Sequence, residues 1–224
     1  YAFNVDFSNL ESALDANPIK RKRITDEYFT YGGYPRIVLA QTHQEKTDLL
    51  REIFTSYLEK DISLLLGVEK TDVMANLVKI IASQVGSLVN RAELASTLGV
   101  SEKTIKKYLY LLEKTFVINL MAPYFKNARK EVTKSPKVYF NDLGLMHLAR
   151  GFLPNARGVW GGNIFENACF LRLKELDLLE QVRYWRTLSG AEVDFIVSTK
   201  SGQIVPVEVK LKAKSRVLGK SLWG

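Results

Sequence analysis

Acids stand where a packed strand would carry apolar residues in the stretch Gly190 to Lys210, GAEVDFIVSTKSGQIVPVEVK. Two apolar runs flank the turn Thr199-Lys200-Ser201-Gly202, and their alternation reads as a β-hairpin. With the turn centred near Ser201, Asp194 faces Glu208 and Glu192 faces Lys210 across the antiparallel pair. The same alternation gathers Val193, Phe195, Val197, Val205, Val207 and Val209 on the other face, an apolar surface that must be buried. Two carboxylates about 5 Å apart repel by roughly 3 kcal/mol at an effective dielectric of about 20. A shared proton, a neighbouring cation such as Lys210, or a bound metal ion would offset that repulsion. Oxygen-only donors suit a hard dication, Mg2+ or Mn2+, and no Cys/His cluster points to zinc. His43 and His147 stand alone and read as structural or surface residues, and the single Cys169 reads as a small buried hydrophobe.

These acids need elements to position them. Upstream, Gly162-Asn163-Ile164-Phe165-Glu166-Asn167 opens a helix reaching Leu176, with Phe165, Cys169, Leu173 and Leu176 as its apolar side and Glu166 near the buried flank. Val182 to Arg186 reads as a strand whose Arg186 neighbours Glu192 across a short turn. Earlier, apolar positions recur at helical spacing from Gln44 to Leu66 and again after Thr71. The break at Tyr31-Gly32-Gly33-Tyr34-Pro35 must be a turn. Asn90-Arg91-Ala92-Glu93 is a capping box for a helix ending before Gly99, and Ser101 caps a longer helix through Lys114. Two helices joined by Leu-Gly-Val-Ser form the helix-turn-helix pattern. On the second, Ile105, Leu109 and Leu112 point inward, whereas Lys103, Lys106, Lys107 and Tyr110 share the opposite face. The β-prone Phe116 to Leu120 and the run Lys137 to Phe140 would supply the wing strands.

The chain has 224 residues, of which 46% are hydrophobic, and a formal charge of +8. That excludes a disordered chain and favours phosphate-bearing or acidic partners. No apolar run approaches the roughly 20 residues a membrane span requires. The single cysteine fits a reducing, cytoplasmic setting. The chain opens at Tyr1 without a leader, which reads as a piece of a longer protein. Basic residues cluster at Lys20 to Arg23, at Lys126 to Lys137 and from Lys210 to Lys220, and read first as solvated surface.

Glu166, Asp194 and the triplet Glu208-Val209-Lys210 together resemble the core of the PD-(D/E)XK nucleases, whose elements run α-β-β-β-α-β. A wider set is similar to the C-terminal half of a family of bacterial and archaeal AAA-type ATPases: Tyr31-Gly32-Gly33-Tyr34-Pro35, Leu94-Ala95, Leu98 to Ser101, Pro136 to Leu145, Phe165-Glu166-Asn167, Tyr184-Trp185-Arg186 and Glu192 to Phe195. In that family an ATP-binding module precedes a winged helix and a nuclease-like domain. The resemblance implies an α+β fold in three parts: a helical linker or lid-like region over 1–84, a winged helix-turn-helix over 85–145, and a restriction-endonuclease-like domain over 146–224. It implies that Asp194 and Glu208, helped by the Val209 carbonyl, hold Mg2+ or Mn2+. Lys210 would orient the attacking water or stabilise the developing charge, and Glu166 would complete the metal shell, with Arg186 and Glu192 in support. Nucleic acid, DNA above all, is the implied partner, met by Lys103, Lys106, Lys107 and Tyr110 and by Lys126, Arg129 and Lys130 of the basic loop. The protein's own ATPase module is a second partner, and assembly into homo-oligomers is a further role.

The departures are specific. Glu192-Val193 stands where the motif name has proline, and the closing helix and strand would fall after Lys212, leaving the fold incomplete at its C-terminal end. Leu218-Gly219-Lys220-Ser221 ends like a phosphate-binding loop, but Lys214 stands where that loop needs glycine. ATP is therefore expected only in the full-length protein. Three functions remain in view: a metal-dependent nuclease, a catalytically silent module that binds nucleic acid or protein for the ATPase, and a structural fragment that mediates oligomers of the ATPase.

Overall fold

The computed structural model describes residues 17–56, 71–124, 134–151, 161–176, 179–187 and 189–210. Lys126, Arg129, Lys130, the second half of the helix expected to reach Leu66, and the Leu218 to Ser221 stretch lie outside the described residues. The fold is α+β. Helices α1 (Pro18–Tyr31), α2 (Pro35–Leu39), α3 (His43–Phe54) and α4 (Thr71–Ser83) lead into the helix-turn-helix pair α5 (Arg91–Leu98) and α6 (Glu102–Lys114). Strands β1 (Ile118–Met121) and β2 (Lys137–Phe140) form an antiparallel pair, and α7 (Leu143–Ala149) follows. Then come α8 (Gly162–Lys174) and strands β3 (Leu179–Arg186), β4 (Glu192–Thr199) and β5 (Ile204–Val207) in an antiparallel sheet of that order.

The helix boundaries follow from side-chain caps. Asn90 accepts from the Glu93 amide at 3.3 Å and Ser101 from the Thr104 amide at 3.1 Å, opening α5 and α6 as their sequences predict. Gly99 between them sits at φ 64°, the left-handed conformation that glycine adopts without strain. Leu88 bridges Lys137 on the other side of β2 from β1, so the segment between α4 and α5 adds a third chain beside this strand pair. Just past β1, Pro123 bridges Tyr184 in parallel, and the Tyr184 amide donates to the Ala122 carbonyl at 3.3 Å. The wing therefore runs directly onto the edge of the second sheet.

One hydrophobic cluster extends from Phe29 through α4, α5, α6 and both wing strands to Phe170, Phe195 and Val197. At its centre the Tyr139 ring stacks on Phe170 with centroids 4.4 Å apart, and Phe195 lies 6.0 Å from Tyr139. Contacts of this kind contribute about 1 kcal/mol each beyond burial. Helix α8 buries Ile164, Asn167, Phe170 and Leu171 most deeply; of its expected apolar side, Phe165, Cys169 and Leu173 pack half-buried against the core, whereas Leu176 is exposed. The stripe is rotated because polar Asn167 is one of the buried residues: its side chain accepts from the Phe140 amide at 2.7 Å and donates to the Phe140 carbonyl at 2.9 Å.

A second knot joins the Tyr31-Gly32-Gly33 turn to the start of α7. Asp142 caps α7 by accepting from the Leu145 amide at 2.9 Å and also accepts from the Gly33 amide at 2.8 Å. Burial raises its pKa, partly opposed by those backbone donors. Gly144 packs so tightly on this turn that a Cβ there would lie 2.2 Å from the Tyr31 carbonyl oxygen. Gly144→Ala is therefore expected to lower unfolding free energy by about 3 kcal/mol or more, read from urea denaturation.

His147 is buried beneath α1, with Nε2 3.0 Å from the Phe29 carbonyl. Burial lowers its pKa to about 4, against an unfolded value of about 6.5. The folded state thus binds the proton less readily. Stability is full above about pH 6.5 and falls as pH drops toward 4, by about 3 kcal/mol. Urea midpoints of the wild type measured between pH 7 and 5 should fall more steeply than those of His147→Gln.

Candidate functional site

The hairpin register is as its alternation predicts: Phe195 pairs with Val207, Ile196 with Pro206, Val197 with Val205 and Ser198 with Ile204. Val193, Phe195 and Val197 are buried, while Val205 near the tip is 42% exposed. The ladder, however, ends at Phe195 and Val207. The facing pairs expected beyond it, Asp194 with Glu208 and Glu192 with Lys210, are not ladder partners, and each of these side chains has a different neighbour.

On the β3 side, Arg183 pairs with Ile196 and Trp185 with Val193, so Asp194 and Phe195 stand opposite the single Tyr184. This bulge breaks the regular alternation at the acid itself. Asp194 then accepts from the Val209 amide at 2.8 Å, tying the chain after β5 back to β4. Glu208 is met by Lys210 at 3.3 Å, in a pair that is largely exposed on the lysine side. The Lys210 ammonium thus sits against the acid two residues before it rather than against Glu192.

Glu192 and Glu166 converge instead on Lys137 of β2. The Lys137 ammonium lies 2.5 Å from Glu192 and 3.3 Å from Glu166, and its side chain is only 4% exposed. It also lies 5.8 Å from the Tyr184 ring centroid. Tyr139, next but one along the strand, donates to Glu166 at 2.5 Å. Arg186 approaches the second oxygen of Glu192 at 3.7 Å. A buried ammonium is tolerable only with such partners, because desolvation otherwise outweighs its attraction to any single acid.

The electrostatics follow from this crowding. Burial raises the Glu166 pKa, and the charge of nearby Asp194 pushes it the same way, whereas Tyr139 and Lys137 pull it down. The Tyr139 hydroxyl is pushed far up by burial and by Glu166, so it remains a donor throughout the physiological range. The Cys169 thiol is also pushed up, by burial first and then by Glu166 and Asp194, which makes it a poor nucleophile.

Among the described residues no three His, Cys, Asp or Glu side chains form a group that could hold a metal ion. The donor chemistry explains this: Glu166 and Glu192 enclose a lysine, Asp194 binds an amide, and Glu208 binds Lys210. The Lys137 ammonium thus stands between Glu166 and Glu192, while Asp194 and Glu208 keep separate partners.

The other sequence-predicted site lies on α6. Ile105, Tyr108, Leu109 and Leu112 are buried, while Lys103, Lys106, Lys107 and Tyr110 lie exposed on the opposite face. Lys137 and Tyr139 were hidden in the sequence, the first within a basic stretch and the second within an ordinary strand pattern. The only hint was the burial that the wing strand itself requires.

Residues 22–156 match the model of a family described as a domain of unknown function, DUF8612. The chain belongs to that family. Residues 161–220 match a second domain of unknown function, DUF4143. An uncharacterised protein of Mycobacterium tuberculosis is 30% identical over 194 residues, covering 83% of this chain and 42% of the relative. One of Haemophilus influenzae is 31% identical over 192 residues, covering 84% of this chain and 46% of its own length. An archaeal relative from Methanocaldococcus jannaschii is 23% identical over 198 residues, covering 85% and 43%. The chain thus spans less than half the length of these relatives. No solved structure matches the chain.

Lys137→Met would leave two part-buried carboxylates without their shared cation, so unfolding free energy should fall by about 3–5 kcal/mol. Adding Glu166→Gln and Glu192→Gln should recover most of that loss, because no buried charge is then left uncompensated. Chemical denaturation of the single and triple variants checks both.

Proposed function

We propose that this chain is the nucleic-acid-binding, non-cleaving region of a longer AAA-type ATPase, in which the nuclease-like sheet acts as a rigid support for the winged helix. The observation that carries the reading is the Lys137 ammonium between Glu166 and Glu192. It places a protein cation among the acids of a nuclease-like core and joins that core to the wing. The exposed lysine face of α6 supplies the binding surface, and a winged helix commonly sets such a face against phosphates. The similarity of the quoted motifs to the C-terminal half of the AAA-type family supports the link to an ATPase, and the much longer relatives leave room for that module.

A cleaving enzyme is the second reading. Its support is that Asp194 acts electrostatically on Glu166, so that these carboxylates are crowded in the manner of a metal site. Under this reading Mg2+ or Mn2+ would displace Lys137 from Glu166.

Titration of labelled DNA against the chain at increasing salt should show binding that weakens with a log–log slope of about −3, as expected when three lysines neutralise phosphates. Replacing Lys103, Lys106 and Lys107 together by Gln should reduce both affinity and slope. No strand breakage should accompany binding when Mn2+ is added. Mn2+-dependent cleavage that disappears in Asp194→Ala would overturn the non-cleaving reading in favour of the nuclease.

A further inference from the structure

Helix α6 ends in an unusual way. The Val117 amide donates to the Leu112 carbonyl at 2.9 Å and the Phe116 amide to the Glu113 carbonyl at 3.1 Å, the paired bonds of a Schellman motif. The residue that turns the chain there is normally glycine, because it must adopt a left-handed conformation. Here it is Phe116, at φ 60°, and it is the one non-glycine residue with positive φ among the described residues. A bulky side chain in that region is strained.

Packing does not account for the choice, since Phe116 is 76% exposed. The backbone around it is held firmly: Asn141 donates through Nδ2 to the Phe116 carbonyl at 2.9 Å and approaches the Ile118 carbonyl at 3.3 Å. The aromatic ring is thus offered to solvent from a fixed position. The other exposed large aromatic among the described residues is Tyr110, at 55%, on the helix that Phe116 follows. Lys114 reaches over the Tyr110 ring, 5.5 Å from its centroid. Lys103, Lys107, Tyr110 and Lys114 recur at the spacing of one helix face, with Lys106 beside them. Of the two acids on α6, Glu113 turns its carboxylate onto the Leu120 amide of β1 at 3.1 Å.

We propose that Tyr110, Lys114 and Phe116 form a base-stacking platform at the C-terminal end of α6, which takes an unpaired nucleotide of a strand whose phosphates run along the lysine face. The proposal rests on the nucleic-acid-binding reading above and adds to it the kind of strand recognised. Exposed aromatic rings interleaved with cations are what single-stranded nucleic acid requires, because every base offers a π face and every linkage a phosphate. A continuous duplex hides its base faces, so it would engage the lysines without the rings.

The test compares wild type, Phe116→Gly, Phe116→Trp and the Lys103/Lys106/Lys107→Gln triple variant by fluorescence anisotropy, with a labelled oligothymidine strand and a blunt duplex of equal length at low salt. Phe116→Gly is expected to weaken binding to the strand about tenfold, while duplex binding changes by less than about twofold. Its melting temperature should stay the same or rise by about 2–4 °C, since glycine relieves the strained conformation. Phe116→Trp should retain strand binding. Strand binding that is unchanged in Phe116→Gly, or lost equally for strand and duplex, would overturn the platform. If the lysine variant still loses binding in that case, the nucleic-acid reading survives. Failure of the wild type to bind either probe would overturn both.

Discussion

A primary amine with 4% of its side chain exposed holds together three elements that are far apart in sequence. Lys137 enters from the wing strand, Glu166 from α8 and Glu192 from the start of β4, and each alone would be an unfavourable charge to bury. Two acids around one base leave the cluster with a net negative charge, which the Tyr139 hydroxyl and the Arg186 guanidinium help to disperse. Because desolvation penalties are lifted only when all members are in place, the cluster favours one docking of the β1–β2 pair on α8 and the β3–β4–β5 sheet. The aromatic stack of Tyr139, Phe170 and Phe195 lies beneath it and supplies the apolar burial that a polar cluster cannot.

Much of the fold is legible from local pattern. The β4–β5 hairpin announces itself by period-two alternation around a Thr-Lys-Ser-Gly turn, and its register follows from the same residues. The helix-turn-helix is equally plain, since Asn90, Gly99 and Ser101 are chemically suited to begin, end and begin again a helix. What local pattern does not carry is pairing at a distance. Lys137 follows a run of lysines and so reads as solvated, yet its acids come from elements that only the tertiary fold brings to it. Nothing local marks the polar Asn167 for burial, yet its amide finds both backbone groups of Phe140 and is buried. The bulge at Asp194 likewise depends on how Tyr184 is held by the wing.

The acids of the hairpin each find a partner within the protein. Spacing places them in the order of a nuclease core, while their observed partners are an amide for Asp194 and lysines for the others. A fold built to gather carboxylates remains stable if a lysine from a neighbouring strand fills the centre.

The two hydrogen bonds between Asn167 and Phe140 make a helix side chain behave as a neighbouring strand would. They fix α8 against β2 in one register, so sliding by a single residue would break both bonds and withdraw Glu166 from Lys137 together. A shear force between this helix and this strand thus meets a polar latch as well as apolar packing.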